Sequence, residues 1–305
     1  MFTIKKGRVR IARVKGMIEI REYECAYLND TGITQELADS LGLAFPDAYL
    51  QAESMYEIAL AVKTRSGASC CILPFCQTVE AESMGGKVNY GDAAVGPRSG
   101  GFICETVGGL LALPDIDFSR GRISEVLKAC ALLRRQGEGV VMKISGPFTI
   151  LNTLMDARYV FRALKKQPGE MKQVFAYIER NLTSYAGEAL KHGANILSYA
   201  DPAGGVGIIG PKMAEEIVRD FTFPFMKTIE NIIGGKAIMA LCPKTAYALI
   251  DTGFAEWGAL DMGGAMTYPA ACVEAAGKAK FVGETCIKNG SYKLADGILK
   301  TVNLK

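Results

Sequence analysis

The stretch that decides the fold is Gly193-Ala194-Asn195-Ile196-Leu197-Ser198-Tyr199-Ala200-Asp201-Pro202-Ala203-Gly204-Gly205. A long helical pattern precedes it, and the apolar run 196–200 predicts a buried strand that ends in a carboxylate, a proline and two glycines. An acid at the carboxyl end of a buried strand, followed by permissive backbone, is typical of the ligand-facing end of an α/β barrel. The alternative is an ordinary strand-to-helix turn in which Asp201 is only the cap.

Composition limits the class of protein before any motif is considered. The 305 residues are 49% hydrophobic, enough for one large core, so we expect a single domain over residues 1–305. The net charge of +3 indicates neither a nucleic-acid surface nor a membrane surface. No apolar run reaches the roughly 18 residues of a membrane span, and we expect a cytoplasmic protein.

Cysteine and histidine usage narrows the chemistry. The chain has nine cysteines and no secretory segment, which predicts reduced thiols that fill the core or bind metal. Its single histidine, His192, closes a helical run just before Gly193, where a histidine usually caps the helix. Mechanisms that need two histidines are therefore excluded.

The rest of the chain alternates between predicted strands and helices. Near-alternating segments at 8–14 and 18–22 predict an N-terminal β-hairpin, and further strands are predicted near residues 25, 70, 142, 198, 239, 258 and 281. Helices are predicted between most of these strands, and residues 295–301 are predicted as a last helix. Strand then helix with short loops is the signature of a parallel sheet.

We therefore predict a (β/α)8 TIM-type barrel that lacks its last strand and carries an added hairpin at residues 1–22. A doubly wound open sheet is the competing fold, but the Gly-rich phosphate turn that usually follows its first strand is missing. Seven parallel strands would leave two unpaired edges. We expect the hairpin, or the second subunit of a homodimer, to cover that gap.

Function-prone side chains follow the predicted strands. Glu80 and Glu82 come after the strand near residue 70, and Asp201, Cys242 and Asp261 come after later ones. In a barrel, all of these strand ends face one opening, so we expect these side chains to gather there. Each also has a structural reading: the glutamates as surface ion pairs with lysine, Asp201 as a cap and Cys242 as a small buried residue.

Four motifs carry a resemblance to a known family. The segments Pro74–Gly85, Gly146–Thr149, Asp201–Pro202 and Ile209–Met213 resemble the uroporphyrinogen decarboxylase superfamily, most of all its methylcobalamin:coenzyme M methyltransferase branch. The resemblance covers roughly residues 30–285 and implies a (β/α)8 barrel, in agreement with the strand and helix pattern.

The resemblance implies methyl transfer between a corrinoid donor of the methylcobalamin type and a thiol, as part of one-carbon metabolism. A corrinoid protein or a small-molecule methyl donor would be the partner. In that branch, zinc held by a His-x-Cys pair and a later cysteine lowers the thiol pKa. Here Ala240 stands in the histidine position, Cys242 remains, and Cys286 is the candidate second ligand.

The same resemblance implies a set of site residues. We expect Cys242, Glu82 and Asp201 to be catalytic and Cys242 and Cys286 to be metal ligands. The residues expected to bind substrate are Cys76, Glu80, Tyr199 and Asp261.

Two other functions remain open. A non-catalytic or corrinoid-binding scaffold relative is the first, because the zinc histidine and the last strand are missing. A decarboxylase is the second, although Cys76 falls where that enzyme's essential aspartate is expected and Thr153 falls where a tyrosine is expected. Residues 1–45 also lack the arginine-rich segment of those enzymes.

Overall fold

The computed structural model describes residues 8–12, 19–27 and 31–305. The strands, in chain order, are β1 (Arg8–Ala12), β2 (Ile20–Glu24), β3 (Cys71–Leu73), β4 (Lys87–Asn89), β5 (Arg98–Gly101), β6 (Val140–Ser145), β7 (Ile196–Ala200), β8 (Ile238–Leu241), β9 (Ala255–Asp261), β10 (Met266–Thr267), β11 (Phe281–Val282), β12 (Lys293–Leu294) and β13 (Ile298–Leu304).

The α-helices alternate with these strands through most of the chain. They are α1 (Gln35–Leu41), α2 (Ala52–Ser66), α3 (Val79–Ser83), α4 (Val107–Leu111), α5 (Gly121–Arg135), α6 (Pro147–Leu154), α7 (Ala157–Lys166), α8 (Pro168–Lys191), α9 (Val206–Ile209), α10 (Pro211–Ile217), α11 (Phe223–Ile233), α12 (Pro243–Asp251) and α13 (Tyr268–Glu274). Short 3-10 turns cover Asp47–Tyr49 and Pro202–Gly204, and a π-helical turn at Val218–Thr222 joins α10 to α11.

The central sheet has seven strands in the order β3-β6-β7-β8-β11-β13-β9. Neighbours from β3 to β11 are parallel, as predicted. The fold is therefore mixed α/β with a parallel sheet. Strands β3 and β9 end the order and are not paired with each other among the described residues, so a closed barrel is not confirmed.

The end of the chain differs most from the sequence-based expectation. The predicted helix at 295–301 is wrong, because these residues lead into β13, which is antiparallel to both β11 and β9. The segment is rich in β-branched residues and follows a turn at Gly297, both of which favour a strand. Strand β9 consequently lies at the sheet edge instead of beside β8.

The N-terminal strands stand apart from this sheet. Strands β1 and β2 pair antiparallel with each other and with no other described strand, and residues 13–18 between them lie outside the described part. The expectation that they fill the gap between the first and last strands is therefore wrong. A strand near residue 25 is also absent from the sheet. Instead, Arg21 of β2 binds Asp251 of α12 through its backbone N–H at 2.8 Å and its guanidinium at 2.5 Å.

Each face of the sheet packs against its own layer. Met142, Leu197 and Met239 share the large core that faces α5, α8 and α11. The neighbouring residues Val141 and Ile196, whose side chains point to the opposite face, share a smaller core with α13. Helix α13 thus covers part of the face that a closed barrel would enclose.

Candidate active site at the carboxyl ends of the strands

Asp201 joins the end of β7 to the start of α6. Its carboxylate accepts hydrogen bonds from the backbone N–H of Phe148 at 3.1 Å and from the backbone N–H and hydroxyl of Thr149 at 2.8 and 2.7 Å. Burial raises the pKa of this carboxyl, although the hydrogen bonds oppose the shift. Asp201 therefore caps a helix, as considered from the sequence, but the helix that it caps is α6.

Glycine is required beside this carboxylate. A Cβ on Gly146 would lie 2.3 Å from the Cβ of Asp201 and 2.7 Å from the hydroxyl of Tyr199. A Cβ on Gly204 would lie 2.5 Å from Oδ2 of Asp201. Gly146, from a family-like motif, and Gly204, three residues after Asp201, therefore make room for one buried acid.

Glu82 belongs to a buried polar network between α3 and α5. Its carboxylate accepts from the Tyr90 hydroxyl at 2.6 Å and from Nε of Arg122 at 2.6 Å. The Arg122 guanidinium, 3% exposed, also donates to Sγ of Cys76 at 3.1 Å and to Thr78 at 2.7 Å. The surface ion pair with lysine considered from the sequence is wrong for Glu82, whose cation is a buried arginine.

Glu80 lies two residues before Glu82 on α3, and its side chain points to the end of β6. Its oxygens accept from the backbone N–H of Ser145 at 2.7 Å and from the Ser145 hydroxyl at 3.1 Å. Only 1% of the residue is exposed, and burial raises its pKa. The surface ion pair considered for this glutamate is therefore also wrong.

Cys242 and Cys286 come near each other at the ends of β8 and β11, and Cys25 from the N-terminal segment lies near both. Cys242 precedes α12, and its N–H donates to the carbonyl of Tyr199 at 2.8 Å. Burial raises the pKa of Cys242 to about 12 and also raises that of Cys286. All nine cysteines lie in the described part of the chain and are free thiols.

Asp261 and Tyr199 are two further residues that the sequence predicted for the site. Asp261 is exposed at the end of β9 and accepts from the N–H of Gly263 at 2.8 Å. Strand β9 runs parallel to β8, but β11 and β13 lie between them, so Asp261 and Cys242 follow strands of the same sheet edge that are not neighbours. The ring of Tyr199 packs 5.6 Å from that of Phe225 in the helix-facing core, and only its hydroxyl comes near Gly146.

Lys143, in the middle of β6, is the residue that the sequence reading missed. Burial, and secondarily the cation of Lys288, lower its pKa to about 7. Cys76, Glu80 and Cys286 are its other titratable neighbours and oppose the shift. A charged residue inside the apolar run Val140–Ser145 is the sequence signal that could have identified it.

Lys143 lines a cavity of about 830 Å³. One wall comes from α2 and β3, and the other from the segment that follows α13, including Ile287, Lys288 and Ser291. The cavity therefore lies at the β3 edge of the sheet, and Lys143 of the neighbouring strand β6 is part of its lining.

A sequence model of the uroporphyrinogen decarboxylase (URO-D) family matches residues 32–255. The chain belongs to the uroporphyrinogen decarboxylase family. The predicted resemblance is confirmed, although the matched region ends before β10, α13, β11, β12 and β13.

Curated relatives in this family are methyltransferases. The chain is 24% identical over 228 residues to methylcobamide:CoM methyltransferase MtaA of Methanosarcina barkeri, covering 73% of this chain and 66% of that protein. It is 24% identical to a methylated-thiol–coenzyme M methyltransferase of Methanosarcina mazei, covering 71% of this chain and 58% of that protein. The matched part is thus less than two thirds of the length of these relatives.

A solved structure agrees on the fold. A methyltransferase from Methanosarcina mazei superposes with a TM-score of 0.60 at 24% identity, covering 72% of this chain and 66% of that chain. The likeness shows that the two chains share the fold of this matched part.

The residues present do not fit the zinc site that the family resemblance implied. Ala240 has no donor atom where a histidine is expected. Among the residues that the structure describes, no group of three or more His, Cys, Asp or Glu side chains is placed to hold a metal ion. Zinc usually takes at least three protein ligands, so Cys242 and Cys286 alone are an incomplete set. A zinc site at these two thiols stays a prediction.

No described helix has the length and hydropathy that crossing a bilayer requires.

The C-cap predicted at His192 is confirmed, since His192 ends α8 and its Nδ1 lies 2.8 Å from the carbonyl of Glu188.

Proposed function

We propose that the chain is a methyltransferase that moves a methyl group between a corrinoid donor and a thiol or related acceptor. The observation that carries this proposal is the match to relatives named methylcobamide:CoM methyltransferases over 73% of the chain. The site adds the thiols of Cys242 and Cys286 near the carboxyl ends of β8 and β11. Cys242 is proposed to contact the acceptor, with Glu82 and Asp201 shaping the site around it.

The transfer would proceed by attack of an acceptor thiolate on the methyl carbon. The carbon–sulfur bond forms as the bond to the donor breaks, and the electron pair of that bond stays with the donor. The acceptor must lose its thiol proton first. Because the pKa of Cys242 is raised to about 12, this thiol is protonated at neutral pH and is proposed to position the acceptor instead of accepting its proton.

Several finer parts of the proposal rest on the sequence pattern or on the family likeness. These are a barrel-like closure of the sheet, a single domain over 1–305, and a cytoplasmic location. They also include a corrinoid protein as partner and a homodimer. Residues Cys76, Glu80, Tyr199 and Asp261 are carried as substrate-binding candidates, of which Asp261 has the least support because β9 lies at the sheet edge.

A scaffold or corrinoid-binding relative without catalysis is the second candidate. The observation that favours it is the missing third metal ligand among the described residues, together with Ala240 in the histidine position. Decarboxylation has less support, since Cys76 occupies the position of the essential aspartate and is bound by Arg122.

One experiment separates these candidates. The purified chain is incubated with methylcobalamin and a panel of small thiols, and methylated thiol is measured by mass spectrometry alongside the corrinoid absorbance. We expect thiol methylation that falls by at least about tenfold in Cys242→Ala, equivalent to a loss of roughly 1.4 kcal/mol of transition-state stabilisation.

The matched control is Cys130→Ala, which removes a buried thiol from α5 and should leave transfer unchanged. Metal content is measured on the same samples. Corrinoid binding without transfer would favour the scaffold candidate, and tetrapyrrole binding without corrinoid binding would favour a decarboxylase.

A further inference from the structure

Three cysteines lie close together beside the carboxyl ends of β8 and β11. Cys25, Cys242 and Cys286 are half-buried, whereas the other six cysteines of the chain are buried. Cys25 interacts electrostatically with both Cys242 and Cys286, and all three sulfur atoms lie near the hydroxyl of Tyr23. The thiols that solvent reaches are therefore the ones that lie together.

Two hydrogen bonds hold the N-terminal segment along the loop that follows β11. The side chain of Tyr23 is hydrogen-bonded to that of Thr285. The Tyr27 hydroxyl donates to Oδ1 of Asn289 at 3.1 Å. One cysteine lies between the two tyrosines in the chain, and another lies between their two partners. The two contacts therefore bring both cysteines into the short stretch where the segments run side by side.

Cys25 and Cys286 are these two cysteines, and the geometry favours them as a pair. A disulfide needs Cα atoms about 4.4 to 6.8 Å apart. Cys25 follows β2, which pairs with β1 and with no other described strand, so the central sheet does not fix its backbone. Cys242 instead follows the central strand β8, and its N–H is bound to the carbonyl of Tyr199. Cys25 is therefore the thiol that adjusts most easily to meet Cys286.

We propose that Cys25 and Cys286 are a redox-active thiol pair, which a hydroperoxide oxidises to a disulfide. This modification goes beyond the proposed methyl transfer and does not depend on it. Both cysteines lie outside residues 32–255, the part of the chain that matches the URO-D family. The pair is therefore built from two segments outside the family match, and the bridge ties the N-terminal strands to the end of the parallel sheet.

The reaction consumes one hydroperoxide for each disulfide. With hydrogen peroxide, the thiolate of Cys25 attacks one oxygen, the oxygen–oxygen bond breaks, and the sulfur becomes a sulfenic acid while hydroxide leaves and takes up the thiol proton. The sulfur of Cys286 then attacks the sulfenic sulfur. The sulfur–sulfur bond forms, and the second hydroxide leaves with the proton of Cys286 as water. The two thiols lose two electrons in total, and the peroxide is reduced to two water molecules.

The experiment is oxidation of the reduced full chain by a small excess of hydrogen peroxide. The remaining thiols are blocked and counted in denaturant, and the cross-linked peptide is identified by mass spectrometry. We expect nine free thiols to become seven, because one disulfide consumes two, and dithiothreitol should restore all nine. The bridge should join Cys25 to Cys286 within a single chain. A bridge between Cys242 and Cys286, a bridge between two chains, or nine thiols after oxidation would each overturn the proposal.

Matched variants separate the pair from general oxidation. In Cys25→Ser the cross-linked peptide should disappear, and loss of the Cys286 thiol should slow by at least about tenfold, because its intramolecular partner is gone. The control is Cys104→Ala, which removes a buried thiol and should leave the bridge unchanged. Equal loss of the Cys286 thiol in Cys25→Ser and in the unmodified chain would contradict the pairing.

Phenylarsine oxide gives a second measurement on the unmodified protein, which holds even if Cys25→Ser fails to fold. Trivalent arsenic bonds two neighbouring thiols, and its oxygen leaves as water with their two protons. Pretreatment of the reduced chain should slow alkylation of Cys25 by iodoacetamide by at least about tenfold, because the second thiol binds at a high effective concentration. Full reactivity of Cys25 after pretreatment would show that it has no thiol partner and would overturn the proposal.

Discussion

At the scale of single residues, Lys143 carries a charge on a strand whose other side chains are mostly apolar. The fold desolvates its ammonium and places Lys288 nearby, and both effects disfavour the charged form. Its pKa is about 7 in the folded chain against 10.5 for an ordinary lysine. Between these two values the unfolded chain binds more protons than the native chain, so this group makes stability rise with pH.

The pH dependence of Lys143→Met checks this argument. Below pH 7 the native protein must bury the ammonium, so the variant should be more stable than the unmodified chain. The advantage should shrink by about 2 kcal/mol between pH 7 and pH 9, since each unit of pKa difference corresponds to about 1.4 kcal/mol. Urea unfolding at several pH values measures it. Lys128→Met, at an exposed position, should show no such trend, and a pH-independent difference for Lys143→Met would contradict the lowered pKa.

Some residues of the candidate site could be predicted from the sequence and others could not. Asp201 and Glu82 were found from the sequence because each follows a strand and matches a family motif. Their partners were not, since Thr149 and Arg122 lie 52 and 40 residues away and only the folded chain brings them together. Lys143 was missed because the strand at Val140–Ser145 was predicted from its apolar residues, and the single lysine among them was given no weight.

At the scale of elements, the Glu82–Arg122 pair fixes the short helix α3 against α5. Arg122 is buried, so removing its carboxylate leaves a desolvated cation with the thiol of Cys76 and the hydroxyl of Thr78 as its remaining partners. Breaking a buried pair from one side typically costs about 3 to 5 kcal/mol. Glu82 therefore stabilises the structure through this pair, whether or not it also takes part in catalysis.

A double-mutant cycle of Glu82→Gln and Arg122→Leu measures that role. We expect each single variant to lose stability and the double variant to lose less than their sum, with a coupling energy of about 1 to 3 kcal/mol from urea unfolding. The matched control is Arg180–Asp115, an ion pair of 2.7 Å whose two side chains are each 60% exposed. That cycle should give about 0.2 to 1 kcal/mol. Equal coupling in the two cycles would mean that burial adds nothing to the Glu82 pair.

The strands that the sequence predicted correctly are those whose residue pattern lies within a short segment of the chain. Strands β3, β6, β7 and β8 are short apolar runs bounded by turns, and all were predicted. Strand β13 was missed because the repeated strand–helix order suggested a helix, although its β-branched residues favour a strand. The pairing of β13 with both β11 and β9 joins distant parts of the chain and leaves no local pattern to read.

At the scale of the whole molecule, β13 completes the sheet beyond the parallel strands. Thr301 pairs with Gly258 of β9 on one side and with Val282 of β11 on the other. Leu299 and Val302 bury their side chains almost completely, so the strand is part of the core. Without it, β9 would have no partner among the described strands.

Replacing Thr301 by proline tests whether this strand holds the two halves together. Proline removes a backbone donor and is not tolerated in the middle of a sheet, so we expect a loss of about 3 kcal/mol or more in unfolding free energy. Hydrogen exchange should show lost amide protection in β9 and β11, with β6 and β7 still protected, because the parallel strands pair without β13. Asn303→Ala keeps the backbone donor at an exposed position of the same strand and should leave protection intact. Uniform loss of protection in Thr301→Pro would show instead that the sheet unfolds as a single unit, while unchanged protection of β9 would rule out the pairing itself.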